Sequence, residues 1–147
     1  RYKFHGARHM APGLGRCLAM KLLQEGMEEY DLITWVPVST LRKMSRGYDQ
    51  SRLLAENVGK ELGMPSLCCL KKIRNNKKQS TLRDASRRRA NVLGAYRVMN
   101  SQRVEGKKIL LIDDVLTTGA TAGECARMLL TAGAKEVHCA VLAAARK

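Results

Sequence analysis

Aromatic side chains make up only 4% of this 147-residue chain: one Phe, one Trp and four Tyr. Base stacking on interleaved aromatics, the usual route to sequence-tolerant single-strand binding, has few residues to draw on. Acidic residues are also scarce, 13 against 27 basic, for a formal charge of +14. No apolar run approaches the roughly 20 residues that span a bilayer, and no signal-peptide core opens the chain, so no membrane contact and a cytoplasmic location are the expectations. The five cysteines lack C-x-x-C spacing, and an odd, scattered count argues against a disulfide framework. Cys68-Cys69 is a poor metal pair, while Cys125 on a helical stripe and Cys139 inside a strand are expected to be buried small hydrophobes.

The chain has the common size of one domain, and residues 1–147 read as one without repeats or a clear linker. Ala11, Leu14, Leu18 and Leu22 mark one face of a first helix that stops near Gly26. Leu32-Ile33-Thr34-Trp35-Val36 reads as the first core strand, closed by Pro37. Asp49 can cap a second helix with Leu53, Leu54, Val58 and Leu62 on its stripe and Gly63 as its stop. Strands are then expected at 66–70, 95–98, 109–112 and 137–142, with a helix facing inward through Ala122, Cys125, Ala126 and Leu129 and ending at Gly133. This alternation predicts right-handed parallel crossovers and a three-layer α/β sandwich around a mostly parallel sheet.

Against the shortage of acids, Ile109-Leu110-Leu111-Ile112 runs directly into Asp113-Asp114 and then Val115-Leu116-Thr117-Thr118-Gly119-Ala120-Thr121. Four consecutive apolar residues fit a strand buried on both faces, whose carboxyl end is where ligands bind in parallel sheets. Thr117, Thr118, Gly119 and Thr121 add hydroxyls and closely approachable backbone, and Thr121-Ala122-Gly123-Glu124 has the form of a capping box that opens a helix. A helix N-terminus is an anion site. The segment thus offers acceptors for two vicinal hydroxyls and a cradle for a phosphate, the groups of a ribose 5-phosphate.

Residues 109–121 resemble the signature of type I phosphoribosyltransferases, which bind 5-phosphoribosyl-1-pyrophosphate (PRPP). Trp35-Val36-Pro37-Val38, Arg46-Gly47-Tyr48-Asp49-Gln50, Gln79-x-x-Leu82, Arg88-x-x-Asn91 and Gly94-Ala95-Tyr96 are similar to the ComF/GntX-like branch of that family. Ser39 stands where the branch usually has a second proline, and Asp49 where it has Asn. Members usually carry a cysteine-rich, zinc-binding module ahead of this domain, and these 147 residues contain none.

The resemblance implies a glycosyltransferase, with Asp113 and Asp114 holding the ribose hydroxyls and acting in catalysis, and Thr117, Thr118, Gly119, Ala120 and Thr121 around the 5-phosphate. It makes Ser39, Thr40, Arg42, Lys43 and Arg46 the pyrophosphate loop. It implies Mg²⁺ brought in with PRPP and no all-protein metal site, because magnesium keeps waters and takes ligands from substrate phosphates. The acceptor, a nucleobase or another group, is not legible. Tyr2-Lys3-Phe4-His5-Gly6 has the position of a hood over the acceptor, His5 and His9 read as surface histidines, and His138 falls in a core strand.

Residues 71–89 hold nine basic residues and one acidic residue with little apolar periodicity. By itself such a run is a solvated loop or a general polyanion patch. In the family's order it matches a basic flexible loop, at about 71–90, that closes on the donor, with Lys77, Lys78, Gln79, Arg83, Arg88 and Asn91 as its candidates. Two function classes remain open: a PRPP-dependent transferase, and a non-catalytic PRPP-fold protein acting in DNA uptake or regulation, its basic surface meeting a nucleic-acid backbone. Homodimer formation is left open as well.

Overall fold

A computed structural model describes residues 11–26, 29–37, 50–73, 93–116 and 120–144. The first helix, α1 (Ala11–Gln24), turns its Leu14, Leu18, Ala19 and Leu22 face inward and stops at Gly26, whose φ of 70° suits a residue without a Cβ. β1 (Leu32–Trp35) is buried throughout, as an unbroken apolar run in a covered sheet should be. α2 (Gln50–Leu62) follows the predicted stripe and ends at Gly63, φ 68°. The remaining elements are β2 (Leu70–Lys72), β3 (Tyr96–Val98), the single turn α3 (Ser101–Val104), β4 (Lys108–Leu116), α4 (Ala120–Thr131) and β5 (Glu136–Ala144).

The sheet order is β1-β4-β5, all parallel, with Leu32 opposite Ile109, Trp35 opposite Ile112 and Ile112 opposite Ala140. Alternation along the strands divides the core in two. Ile33, Trp35, Leu110, Ile112 and Ala140 pack against α1 and α2, whereas Leu32, Val36, Ile109 and Leu111 pack against α4, α3 and the β2–β3 ribbon. These are the expected three layers. β4 lies between them with Ile109, Leu110, Leu111 and Ile112 all fully buried.

Four expectations need correction. The strand expected at 66–70 is only a single bridge, Ser66 to Ile33 on the outer edge of β1, flanked by the Ile33 N–H to Pro65 carbonyl bond at 2.9 Å. Beyond it the Thr34 hydroxyl accepts the Cys69 N–H at 3.2 Å, and Cys69 accepts the Met99 N–H at 2.8 Å, so the chain leaves β1 for an antiparallel ribbon with β3. Lys71 and Lys72, grouped by composition with the basic loop, belong to that ribbon opposite Arg97 and Tyr96. Cys125 is buried as expected, but Cys139 is exposed, because β5 is an edge of the described sheet. Finally, α3 has no counterpart in the sequence reading; Asn100 precedes it in the left-handed region at φ 52°, which Asn tolerates better than most residues.

Helices α1 and α2 meet at Gly15, where an added Cβ would lie 2.5 Å from the Asn57 Cβ and 3.2 Å from its carbonyl carbon. Neither atom is the far end of a flexible chain. Gly13, two residues earlier on the exposed side, has open space around it. Gly13→Ala should therefore raise stability by up to about 1 kcal/mol through helix propensity. Gly15→Ala should lower it by about 1–3 kcal/mol through overpacking, despite the same propensity gain. Urea unfolding of the two variants checks the opposite signs.

Candidate functional site

The connection after β1 runs through α2 to the bridge at Ser66 on one side of β1, while β4 and β5 lie on the other. The strand order therefore reverses between β1 and β4, which makes the carboxyl ends of those strands the switch point where ligands bind in sheets of this kind. The Val36 N–H still bonds the Ile112 carbonyl at 3.0 Å, and there the β1 ladder ends. Asp113 is the next residue of β4.

β4 does not stop at Ile112 as the sequence pattern suggested. β5 continues to pair with it, Asp113 with Val141, Val115 with Ala143 and Leu116 with Ala144. Asp113 and Asp114 thus lie in the strand rather than in the loop after it. Their backbone is held by the ladder, which fixes the Asp113 carboxylate more firmly than a loop would.

Asp113 is only 8% exposed. The Ser51 hydroxyl, in the first turn of α2, donates to its Oδ1 over a long 3.5 Å, and Gln50 and Ser51 are themselves buried. The start of α4, Ala120 and Ala122, is buried too. The Asp113 charge is also felt by Cys125 on α4: burial pushes that thiol well up, and the Asp113 and Glu124 carboxylates add to the shift, while Lys72 on β2 opposes it. A buried carboxylate therefore stands near the first turn of α2 and the buried face of α4, at the switch point. Sequence reasoning gave Ser51 no role, because a serine in the first turn of a helix carries no motif.

Of the residues predicted for the site, Asp113, Ala120 and Thr121 are described, as is the backbone of Asp114. Ser39, Thr40, Arg42, Lys43, Arg46, Lys77, Lys78, Gln79, Arg83, Arg88, Asn91, Thr117, Thr118 and Gly119 lie outside the described residues, as do Asp49, His5 and His9. His138 sits in β5 opposite Leu110, toward the amino ends of the strands, with its Nδ1 2.9 Å from the Tyr30 hydroxyl. That end of the sheet is away from Asp113. Trp35 and Tyr96 are 5% and 3% exposed, so neither offers a free face for a base; the Arg52 guanidinium, 5.7 Å from the Trp35 ring centroid, covers part of the former.

The expected capping box is absent. α4 starts at Ala120, which puts Thr121 inside the helix, and Glu124 reaches elsewhere. Its Oε1 accepts from Arg127 Nε at 2.8 Å, and its Oε2 accepts from Arg127 Nη2 at 2.8 Å and from the Gly94 N–H at 3.0 Å. The Arg127 hydrogen bonds are the main cause holding the Glu124 carboxyl below its ordinary range, against the opposing effect of burial. Because the folded value is depressed, the stabilisation is complete above the unfolded value near 4.5 and is lost as pH falls through the folded value. Glu124→Gln should cost about 1–2 kcal/mol at neutral pH. The gap from the native protein should shrink below about pH 4. Urea unfolding at stepped pH measures it, and a gap independent of pH would count against the charged clamp.

Residues 49–147 match the model of the phosphoribosyl transferase domain. The chain is 32% identical over 141 residues to the DNA utilization protein YhgH of Salmonella typhimurium, covering 92% of this chain and 61% of that protein. It is 31% identical over 133 residues to competence protein ComFC of Bacillus subtilis, covering 90% of this chain and 52% of that one. The chain thus spans less than two-thirds of the length of either relative. Among solved structures it resembles a glutamine PRPP amidotransferase from B. subtilis, TM-score 0.64 at 27% identity over 92% of this chain and 26% of that one. It shares the fold of a purine phosphoribosyltransferase from Pyrococcus horikoshii, TM-score 0.55 at 20% identity over 92% of this chain and 73% of that one. With the parallel sheet, the switch-point carboxylate and a profile match over most of its length, the chain belongs to the phosphoribosyl transferase domain family.

Proposed function

We propose that the chain binds PRPP at the carboxyl ends of β1 and β4 and transfers its phosphoribosyl group with release of pyrophosphate. The observation that carries this reading is Asp113, a buried carboxylate at the switch point with the Ser51 hydroxyl beside it. A carboxylate there can accept from a ribose hydroxyl and favour positive character on the sugar as the bond from the anomeric carbon to pyrophosphate breaks. The bond that forms joins that carbon to an acceptor nucleophile, whose proton leaves with the pyrophosphate or to water.

In this reading Asp114 joins Asp113 on the ribose, and Thr117, Thr118, Gly119, Ala120 and Thr121 bind the 5-phosphate. Ser39, Thr40, Arg42, Lys43 and Arg46 meet the pyrophosphate, with Lys77, Lys78, Gln79, Arg83, Arg88 and Asn91 contributing from the basic segment. The oxygen donors at the switch point, the Asp113 carboxylate and the Ser51 hydroxyl, fit a hard cation such as magnesium. Magnesium carried by PRPP would neutralise the charge that develops on the departing pyrophosphate. The chain's own part is to hold the ribose against Asp113 and to line the switch point so that water is kept from the anomeric carbon.

A second reading has separate support. The names of the relatives refer to DNA utilization and competence, and the chain carries 27 basic residues against 13 acidic. In that reading the PRPP fold serves a DNA-handling or regulatory role, and the basic surface meets a phosphate backbone. No helix among the described residues is long and apolar enough to cross a membrane.

Calorimetry with PRPP and Mg²⁺ should show saturable binding, weakened about 100-fold in the double variant Asp113→Asn/Asp114→Asn, which loses two charged acceptors. Silence at millimolar PRPP would remove the donor reading altogether. A panel of bases scored for pyrophosphate release then identifies the acceptor. Under the second reading, affinity for duplex DNA should fall steeply with salt and survive the double substitution, and a flat salt response would exclude backbone recognition.

A further inference from the structure

Glu124 is 6% exposed, and both of its oxygens are engaged. Arg127, three residues on and half exposed, grips it with two nitrogens and fixes its orientation. The third bond joins α4 to Gly94, 30 residues away in sequence, where the chain enters β3 at φ 74°. The ribbon also meets α4 through apolar contacts, Ala95 and Tyr96 in the same cluster as Ala122, Cys125 and Leu129. Apolar surfaces resist separation better than they resist sliding, because the hydrophobic effect has no direction. A bidentate arginine–carboxylate pair bonded to a backbone N–H does have one.

What the clamp joins bears on the donor site. α4 begins at Ala120, inside the segment assigned to the 5-phosphate, and its Cys125 feels the Asp113 charge. The ribbon brings Lys72, which lies 5.9 Å from the Tyr96 ring centroid and acts on the same Cys125 from the opposite sign. Lys72 stands opposite Tyr96 in the ribbon, and Tyr96 packs in one cluster with Ala122 and Cys125 of α4, the helix that follows Asp113 in the chain.

We propose that Glu124 is a positioning residue for donor binding: it locks the β2–β3 ribbon to α4 and so sets where Lys72 stands relative to Asp113 and the start of α4. The inference rests on the PRPP reading and adds a residue that reading does not use. Glu124 touches no substrate in it; it acts through the ribbon.

Glu124→Gln keeps the size and an acceptor oxygen but loses the charged fork, and it should weaken PRPP–Mg²⁺ binding about tenfold. Leu22→Ala, in the core of α1 on the other face of the sheet, is the control for lost stability. At a comparable drop in melting temperature it should bind PRPP as the native protein does. Equal loss of affinity in Leu22→Ala and Glu124→Gln would reduce Glu124 to a structural role and overturn the inference, as would native affinity in Glu124→Gln. Coupling is reciprocal, so PRPP should also slow hydrogen exchange of the Gly94 amide in the unmodified protein, measurable even if the variant does not fold. An unchanged Gly94 amide at saturating PRPP overturns the inference while leaving PRPP binding intact. Native binding in Asp113→Asn, by contrast, would overturn the PRPP site itself.

Discussion

Everything in the described structure is arranged around β4 being covered on both sides. Its four central apolar residues are fully buried, two toward α1 and α2 and two toward α4, and it pairs with β1 on one edge and β5 on the other. A strand held on four sides has no freedom to adjust its register. The end of β1 beside it therefore decides where the first polar residue falls, and that residue is Asp113. Burying a carboxylate is costly unless it finds partners, which makes its place at the switch point informative.

Two buried acids in a chain short of acids divide the work of the α4 face. Asp113 follows the last β1–β4 ladder bond and accepts from the Ser51 hydroxyl at 3.5 Å. Glu124 is saturated by arginine and a backbone amide, an arrangement that holds structure in place. The second has the chemistry of a brace.

Much of this was legible before the structure. The stripes of α1, α2 and α4, the glycine stops at Gly26, Gly63 and Gly133, and the buried run of β4 follow from local periodicity and backbone preference, and each appears where expected. The motif at 109–121 pointed to the family that the profile match and the solved structures support. Less legible were features set by partners distant in sequence. The strand at 66–70 was lost because the Thr34 hydroxyl and Met99 amide hold the Cys69 backbone, the capping box because Gly94 and Arg127 hold the Glu124 carboxylate, and the burial of Cys139 because nothing described pairs beyond β5.

The sequence by itself determined most of the helices and strands, the three-layer class and the position of the Asp113-Asp114 pair after a buried run, since these depend on residues within a few turns of one another. Tertiary structure decided that β4 continues past Ile112, because β5 pairs with its backbone there. It also decided that Ser51 stands by Asp113 and that Glu124 braces Gly94. These are contacts between residues 62 and 30 positions apart, and no local pattern encodes which distant groups the packing of a sheet and its helices will bring within hydrogen-bonding distance.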